Sequence, residues 1–217
     1  MIAKLLLNFL ISVGCAGEKL PAEAVELPEP RYESEMSVEE SLKSRRSIRS
    51  YKDKPLTITE LSQLLWAAQG ITADWGGRTA PSAGATYPLE VYVVVGEVEN
   101  LEDGLYHYNP KTHTIKKKKQ GDLRNELANA ALGQAMIRKA PISFILTAIY
   151  ERTTGRYGER GIRYVHMEVG HVGQNIYLQA ETLGLGTVVV GAFYDDRVKD
   201  TFGIEEEPLY IIPVGSK

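Results

Sequence analysis

Gly161-Ile-Arg-Tyr-Val-His-Met-Glu-Val-Gly-His-Val-Gly-Gln-Asn-Ile-Tyr-Leu-Gln-Ala-Glu-Thr-Leu183, followed at once by Gly184-Leu-Gly-Thr-Val-Val-Val-Gly-Ala-Phe193, is the stretch on which the architecture turns. Val165, Val169, Val172, Ile176 and Leu183 form an apolar ladder at helical spacing, so this segment predicts a long helix. Gly184 and Gly186 can cap it and release the chain into Thr187–Val190, which reads as a buried strand ended by Gly191. Outward from there, Asp195 to Phe202 reads as a short helix and Leu209 to Val214 as a last strand. Toward the N-terminus, Ile142 to Ile149 is a buried strand behind Pro141, and Asp122 opens a helix through Leu123, Leu127 and Ala131. Leu105–Tyr108 and Thr112–Ile115 flank Asn109-Pro110 as a hairpin. Val91–Val95 is another buried strand, stopped by Gly96. Ser37-Val-Glu-Glu40 and Thr57-Ile-Thr-Glu60 are capping boxes, the second leading a face of Leu61, Leu64, Leu65 and Ala68 that ends at Gly70. Helices and strands mix, with a hairpin and no internal repeat, which favours α+β or α/β.

The composition narrows the function classes. The 217 residues carry 25 Lys+Arg against 28 Asp+Glu, a net charge of -3 that gives no electrostatic case for nucleic acid as the main partner. The single cysteine, Cys15, excludes an intramolecular disulfide and any cysteine-rich metal site. His166 and His171 lie off one helical face and no HExxH pattern occurs, so no metal site is expected. His107 and His113 flank the hairpin and are placed to pair across it. Lys116–Lys119 reads as a solvated strand end. No third glycine follows Gly184-x-Gly186 and there is no Walker A loop, so neither dinucleotide fingerprint applies.

The chain divides into residues 1–17, 18–36 and 37–217. In the first, Lys4, the apolar run Leu5–Val13 and Gly14-Cys15 have the layout of a lipoprotein signal; the alternative is an amphipathic N-terminal helix. The run is too short to span a bilayer. The localisation expected is cytoplasmic, or lipid-anchored outside the cytoplasm through Cys15 if the signal is used. Membrane contact is expected only through that anchor. Pro21, Pro28 and Pro30 punctuate a Glu-rich stretch that reads as an extended tether.

Three segments carry candidate chemistry. Arg45-Arg46-Ser47-Ile48-Arg49 sets three guanidinium groups and a hydroxyl within five residues. Cations at a helix C-terminus answer the macrodipole, and the same forks match phosphate oxygens. Thr79 to Pro88 is a run of small residues between Pro81 and Pro88; it is either an ordinary loop or a close backbone approach to a flat ligand. Gly191 either turns the chain or exposes backbone N–H groups.

Their order, with Tyr157–Tyr164, Glu168-Val-Gly-His171 and Gln174-Asn175, resembles the FMN-dependent nitroreductase-like proteins over about residues 38–217. The likeness is nearest to the SagB-type thiazole/oxazole peptide dehydrogenase branch. It implies an α+β fold with a central, mostly antiparallel sheet flanked by helices, and a homodimer with FMN at the interface. It implies that Arg45, Ser47 and Arg49 hold the FMN phosphate and ribityl chain and that Lys217 adds a phosphate contact. Arg46 would stabilise charge near N1 and O2. Pro81, Ser82, Ala83 and Gly84 would lie along the ring, and the backbone of Val190 and Gly191 would donate toward N5. It further implies a reduced nicotinamide as donor and a small organic molecule as acceptor. Many nitroreductases carry a second serine, an Asn and a Gln where Ala83, Ala85 and Tyr87 stand here. The Lys-Tyr pair of the peptide dehydrogenases corresponds to Arg163-Tyr164, and arginine does not act as a base. Tyr164 is then either a proton donor or a packing residue. The alternatives are an azoline peptide dehydrogenase and a non-catalytic flavin- or ligand-binding surface protein.

Overall fold

A computed structural model describes residues 24–217. Its seven strands are β1 (Ala24–Glu26), β2 (Leu89–Val95), β3 (Gly104–Asn109), β4 (Thr114–Gln120), β5 (Ile142–Ala148), β6 (Leu185–Thr187) and β7 (Glu207–Ser216). They form one sheet in the order β1-β4-β3-β2-β5-β7-β6, with every neighbouring pair antiparallel. The helices are α1 (Val38–Ser44), α2 (Ile58–Gln69), α3 (Arg124–Ala130), α4 (Ala135–Lys139), α5 (Glu151–Tyr157), α6 (Arg160–Thr182) and α7 (Asp195–Phe202). This is the α+β arrangement expected from the sequence. Among the described residues no helix is long and apolar enough to cross a membrane.

Strand side chains alternate, so β2 feeds two cores. Val91, Val93 and Val95 pack with Leu61, Leu64 and Leu65 of α2 and Val165, Val172 and Ile176 of α6. Tyr92 and Val94 face the other way, toward Leu127 of α3, Ile137 of α4 and Val198 and Phe202 of α7. Covering both faces explains why β2 and β5 are apolar on both sides, with Glu90, Ser143 and Thr147 as the polar exceptions. Both capping boxes close, Ser37 with Glu40 and Thr57 with Glu60, and fix where α1 and α2 begin.

The structure departs from the sequence reading in four places. The strand expected at Thr187–Val190 ends at Thr187, because the Val189 N–H donates to the Tyr177 hydroxyl at 3.0 Å instead of to a neighbouring strand. In the stretch expected as a tether, Ala24–Glu26 pairs with the outer edge of β4, Leu27 is buried, and Arg31 and Gln63 exchange hydrogen bonds. The leader expected at Met1–Cys15 lies outside the described residues. His107 and His113 do not pair. His107 bonds Glu90 at 2.7 Å, while His113, in the turn, sits between the Tyr108 hydroxyl (2.9 Å) and Ser62 Oγ (2.7 Å). Finally, the helices α4 and α5 were not expected: each buries a single side chain, Ile137 and Thr153, so neither shows an apolar period.

Candidate active site

The chain leaves α1 at Arg45 in an extended conformation, not a further helical turn. It therefore runs beside β6: Ser47 bridges Thr187, and the Ile48 N–H donates to the Thr187 carbonyl at 2.9 Å. The Ile48 side chain fits against Gly186, where a Cβ would lie 2.7 Å from its Cγ2. Ser47 Oγ is 2.9 Å from the Tyr177 hydroxyl of α6. Since that hydroxyl accepts from Val189 N–H, its own proton can go to Ser47, leaving the serine proton free to donate outward. The Arg45 guanidinium stacks over the Tyr177 ring, 4.8 Å from its centroid.

Lys217 arrives from the other edge of β6, one residue beyond the Ser216–Leu185 pair. Its Nζ is 2.6 Å from Glu181 Oε2, and Glu181 is buried. Two of the three ammonium donors remain after that bond. Arg45, Ser47 and Lys217 thus flank one short strand. A guanidinium, a hydroxyl and an ammonium are the donor chemistry a phosphate requires, so these residues have the chemistry to hold one. Arg49 is exposed beside them. Arg46 is not available in the same way: its guanidinium folds back onto the carbonyls of Lys43 (3.0 Å) and Arg45 (2.8 Å), which is the helix-end role.

The second cluster surrounds Pro81–Tyr87. Gly84, Ala85 and Tyr87 all have positive φ (61°, 54° and 45°), a strained run held by its surroundings. Arg156 Nη1 donates to the Gly84 carbonyl at 3.1 Å, Arg152 Nη1 to the Tyr87 carbonyl at 3.1 Å, and Arg78 stacks on the Tyr87 ring at 4.4 Å. The Tyr87 N–H donates to Ser82 Oγ at 2.9 Å. Beneath the loop lies Glu168 of α6, 2% exposed. Burial pushes its carboxyl up to about 7, against the pull of Ser82, the Arg78 charge and Gln69. Gln69 reaches toward it without closing a bond, so Glu168 Oε1 and Gln69 Nε2 lack partners among the described residues, as does Arg78 Nε.

At the third expected position the Val190 N–H is committed to the Ile211 carbonyl at 2.8 Å, so Val190 has no donor left for a ligand. Gly191, next along, is exposed. Tyr164 is half-buried and packs edge-on against Tyr157, with ring centroids 5.2 Å apart. Of the residues about Glu168, Ser82 was expected from sequence, while Gln69 and Arg78, like Tyr177, were not singled out. Glu168 had a visible signal, since it falls on the apolar face of the ladder, three residues after Val165 and one before Val169. Tyr177 had none, because its role lies in contacts made across the chain.

A cleft of about 670 Å³ opens beside this loop, lined by Gln69, Arg78, Tyr87, Glu90, His107 and Arg152 among others. Glu90 sits between His107 (2.7 Å) and Arg152 (2.6 Å). Burial works to raise its pKa, but these hydrogen bonds and charges outweigh it and hold the carboxyl below its ordinary value. A depressed carboxylate contributes stability above its unfolded pKa and loses it as pH falls through the folded one. Thermal melts from neutral pH to about pH 3 should therefore show a steeper acid loss below about pH 4.3 in the wild type than in Glu90→Gln. Parallel curves would refute this role.

The model of the nitroreductase family matches residues 42–216. The chain is 52% identical over 195 residues to a candidate nitroreductase of Methanocaldococcus jannaschii, covering 90% of this chain and 98% of that one. A solved candidate nitroreductase from Ralstonia eutropha superposes with a TM-score of 0.78 at 30% identity, over 89% of each chain. A chain of the Escherichia coli microcin synthetase McbBCD complex, solved with truncated pro-MccB17 bound, superposes with a TM-score of 0.69 at 26% identity. That match covers 80% of this chain and 70% of that one.

Proposed function

The chain belongs to the nitroreductase family and is an oxidoreductase, and from that premise we propose that it binds FMN and passes electrons from a reduced nicotinamide to a small organic acceptor. The observation that carries the cofactor is the donor set about β6, where Arg45 and Ser47 come from the segment after α1 and Lys217 from the end of β7. Arg45 and Lys217 supply charge to the phosphate, and Ser47, oriented by Tyr177, supplies a directed hydroxyl. Arg49 adds a cation along the ribityl chain. Two-electron exchange at N5 is the chemistry FMN supplies when bound. Gly191, exposed and without a side chain, lets backbone approach that atom, with its own N–H in place of the committed one of Val190. Pro81–Gly84 lies along the ring and excludes water from it. Tyr177 and Glu168 stand nine residues apart on α6, about 14 Å along its axis. A homodimer accommodates that spacing, with the loop of one protomer covering the ring held by its partner. The acceptors in view are nitro compounds, quinones and enones.

A second reading, azoline oxidation in a precursor peptide, is favoured by the likeness to the microcin synthetase chain. Arg163 stands where that chemistry would want a base, and Tyr164 is packed on Tyr157. The deciding experiment is the visible spectrum of the purified protein given FMN, then NADPH or NADH without oxygen. A flavin spectrum that bleaches is the expected result. Flavin that binds and stays oxidised would favour the peptide dehydrogenase, and protein that takes up no FMN would overturn the assignment.

A further inference from the structure

The loop expected against the ring rests on a buried carboxyl that no step above uses. Glu168 has no ion-pair partner within 4 Å among the described residues and is almost wholly excluded from water. Isolating a carboxylate this way is costly, whereas a carboxylic acid is tolerated there. Its neighbours come from three segments: Gln69 from α2, Arg78 from the chain after it, and Ser82 from the loop. Arg78 is the charge that faces it, and Glu90 and Arg152 act on Arg78 from farther out. Ser82 is half-buried and stands between the buried acid and the exposed Gly84 and Ala85 of the loop.

The hydrogen-bond count gives this arrangement a direction. Ser82 Oγ accepts from the Tyr87 N–H and has a second lone pair. With Glu168 ionised, the serine proton points inward to the carboxylate. With Glu168 protonated, the carboxyl can donate to Ser82, and the serine proton turns outward. We propose that Glu168 is the site's proton store, delivering its proton through the Ser82 hydroxyl to the group bound against the Pro81–Gly84 loop. The inference rests on the flavin reading above. Reducing an acceptor with a nicotinamide hydride consumes one proton as well. In the transfer the Ser82 O–H bond breaks toward the acceptor as a new O–H bond forms from the Glu168 carboxyl. The Glu168 carboxylate that remains faces Arg78 and is reprotonated from solvent before the next turnover. Glu168 acts through Ser82 and is a positioning and proton-holding residue, not one that touches substrate.

Two measurements test this, one of which needs no flavin. Infrared spectra of the flavin-free protein should show a protonated carboxyl band that titrates near pH 7, the value burial sets for Glu168. It should persist in Ser82→Ala and vanish in Glu168→Gln. In the FMN-loaded protein, with NADPH as donor and a simple quinone as acceptor, kcat should fall as pH rises past that point. Glu168→Gln should lose this dependence and about 10²-fold in kcat. Ser82→Ala should lose a similar factor, and Ser82→Thr should restore most of it. A band that does not titrate overturns the proton store whether or not flavin binds. So does a Glu168→Gln protein with the wild-type pH profile, or a Ser82→Ala protein at the wild-type rate. If Glu168→Gln does not fold, the infrared band and Ser82→Ala decide alone. Failure of the flavin reading is separate and shows as absence of a bound-flavin spectrum.

Discussion

Gly186→Ala is expected to destabilise the protein by about 1–3 kcal/mol and to weaken FMN binding by roughly tenfold or more. The added Cβ would lie 2.7 Å from Ile48 Cγ2 and 2.9 Å from Ile48 Cβ. The second of these is the base of the side chain, which cannot swing aside without moving the backbone. That backbone is the segment whose neighbour Ser47 bridges Thr187. Across the ladder, Gly215 pairs with Gly186, and a Cβ there would meet Tyr51 at 2.7 Å. Two facing glycines therefore make the slots into which Ile48 and Tyr51 seat the Arg45–Arg49 segment. Filling one slot pushes the phosphate donors off β6. Gly170→Ala is the control: its Cβ would meet nothing within 4 Å, and it sits inside α6. It should leave FMN affinity unchanged and raise the melting temperature slightly, since alanine favours a helix by about 0.5–1 kcal/mol over glycine. Thermal melts and flavin fluorescence titrations read both effects. Wild-type FMN affinity in Gly186→Ala would remove the Arg45–Ser47 segment from the anchor.

The parts of this fold legible in the sequence are those that local physics determines. The capping boxes at Ser37 and Thr57 mark helix starts because the cap and its partner lie three residues apart. The valine run of β2 and the ladder of α6 expose their burial through periodicity. What stayed hidden depends on partners far along the chain. β6 stops where a phenol twelve residues upstream takes the Val189 N–H. β1 is too short to show a period, yet it finds the open edge of β4. Within the arginine run, composition could not separate Arg45, stacked on Tyr177, from Arg46, turned back onto its own helix. The same limit holds at Glu168. Its place on an apolar face reveals burial, but Gln69 and Arg78 reach it from about a hundred residues away in sequence.

Tyr177→Phe should weaken FMN binding by about tenfold and cost roughly 1–3 kcal/mol in stability, although the ring and its packing remain. The hydroxyl serves two groups, accepting from Val189 N–H at 3.0 Å and standing 2.9 Å from Ser47 Oγ. Removing it leaves a half-buried N–H without an acceptor, which is the stability cost. It also frees Ser47 to rotate, which is the binding cost, since an unoriented hydroxyl must be ordered again by each phosphate it meets. The stacking of Arg45 on the ring survives the change, so the charge is still present and only the direction of the serine donor is lost. A double-mutant cycle with Ser47→Ala isolates that part. If Tyr177 acts on the phosphate through Ser47, the two losses in affinity will not add, with a coupling of about 0.5–3 kcal/mol, while the stability cost tied to Val189 persists in both backgrounds. Additive losses would mean that the phenol meets the ligand directly, and the serine would then be one donor among several instead of the one that Tyr177 aims.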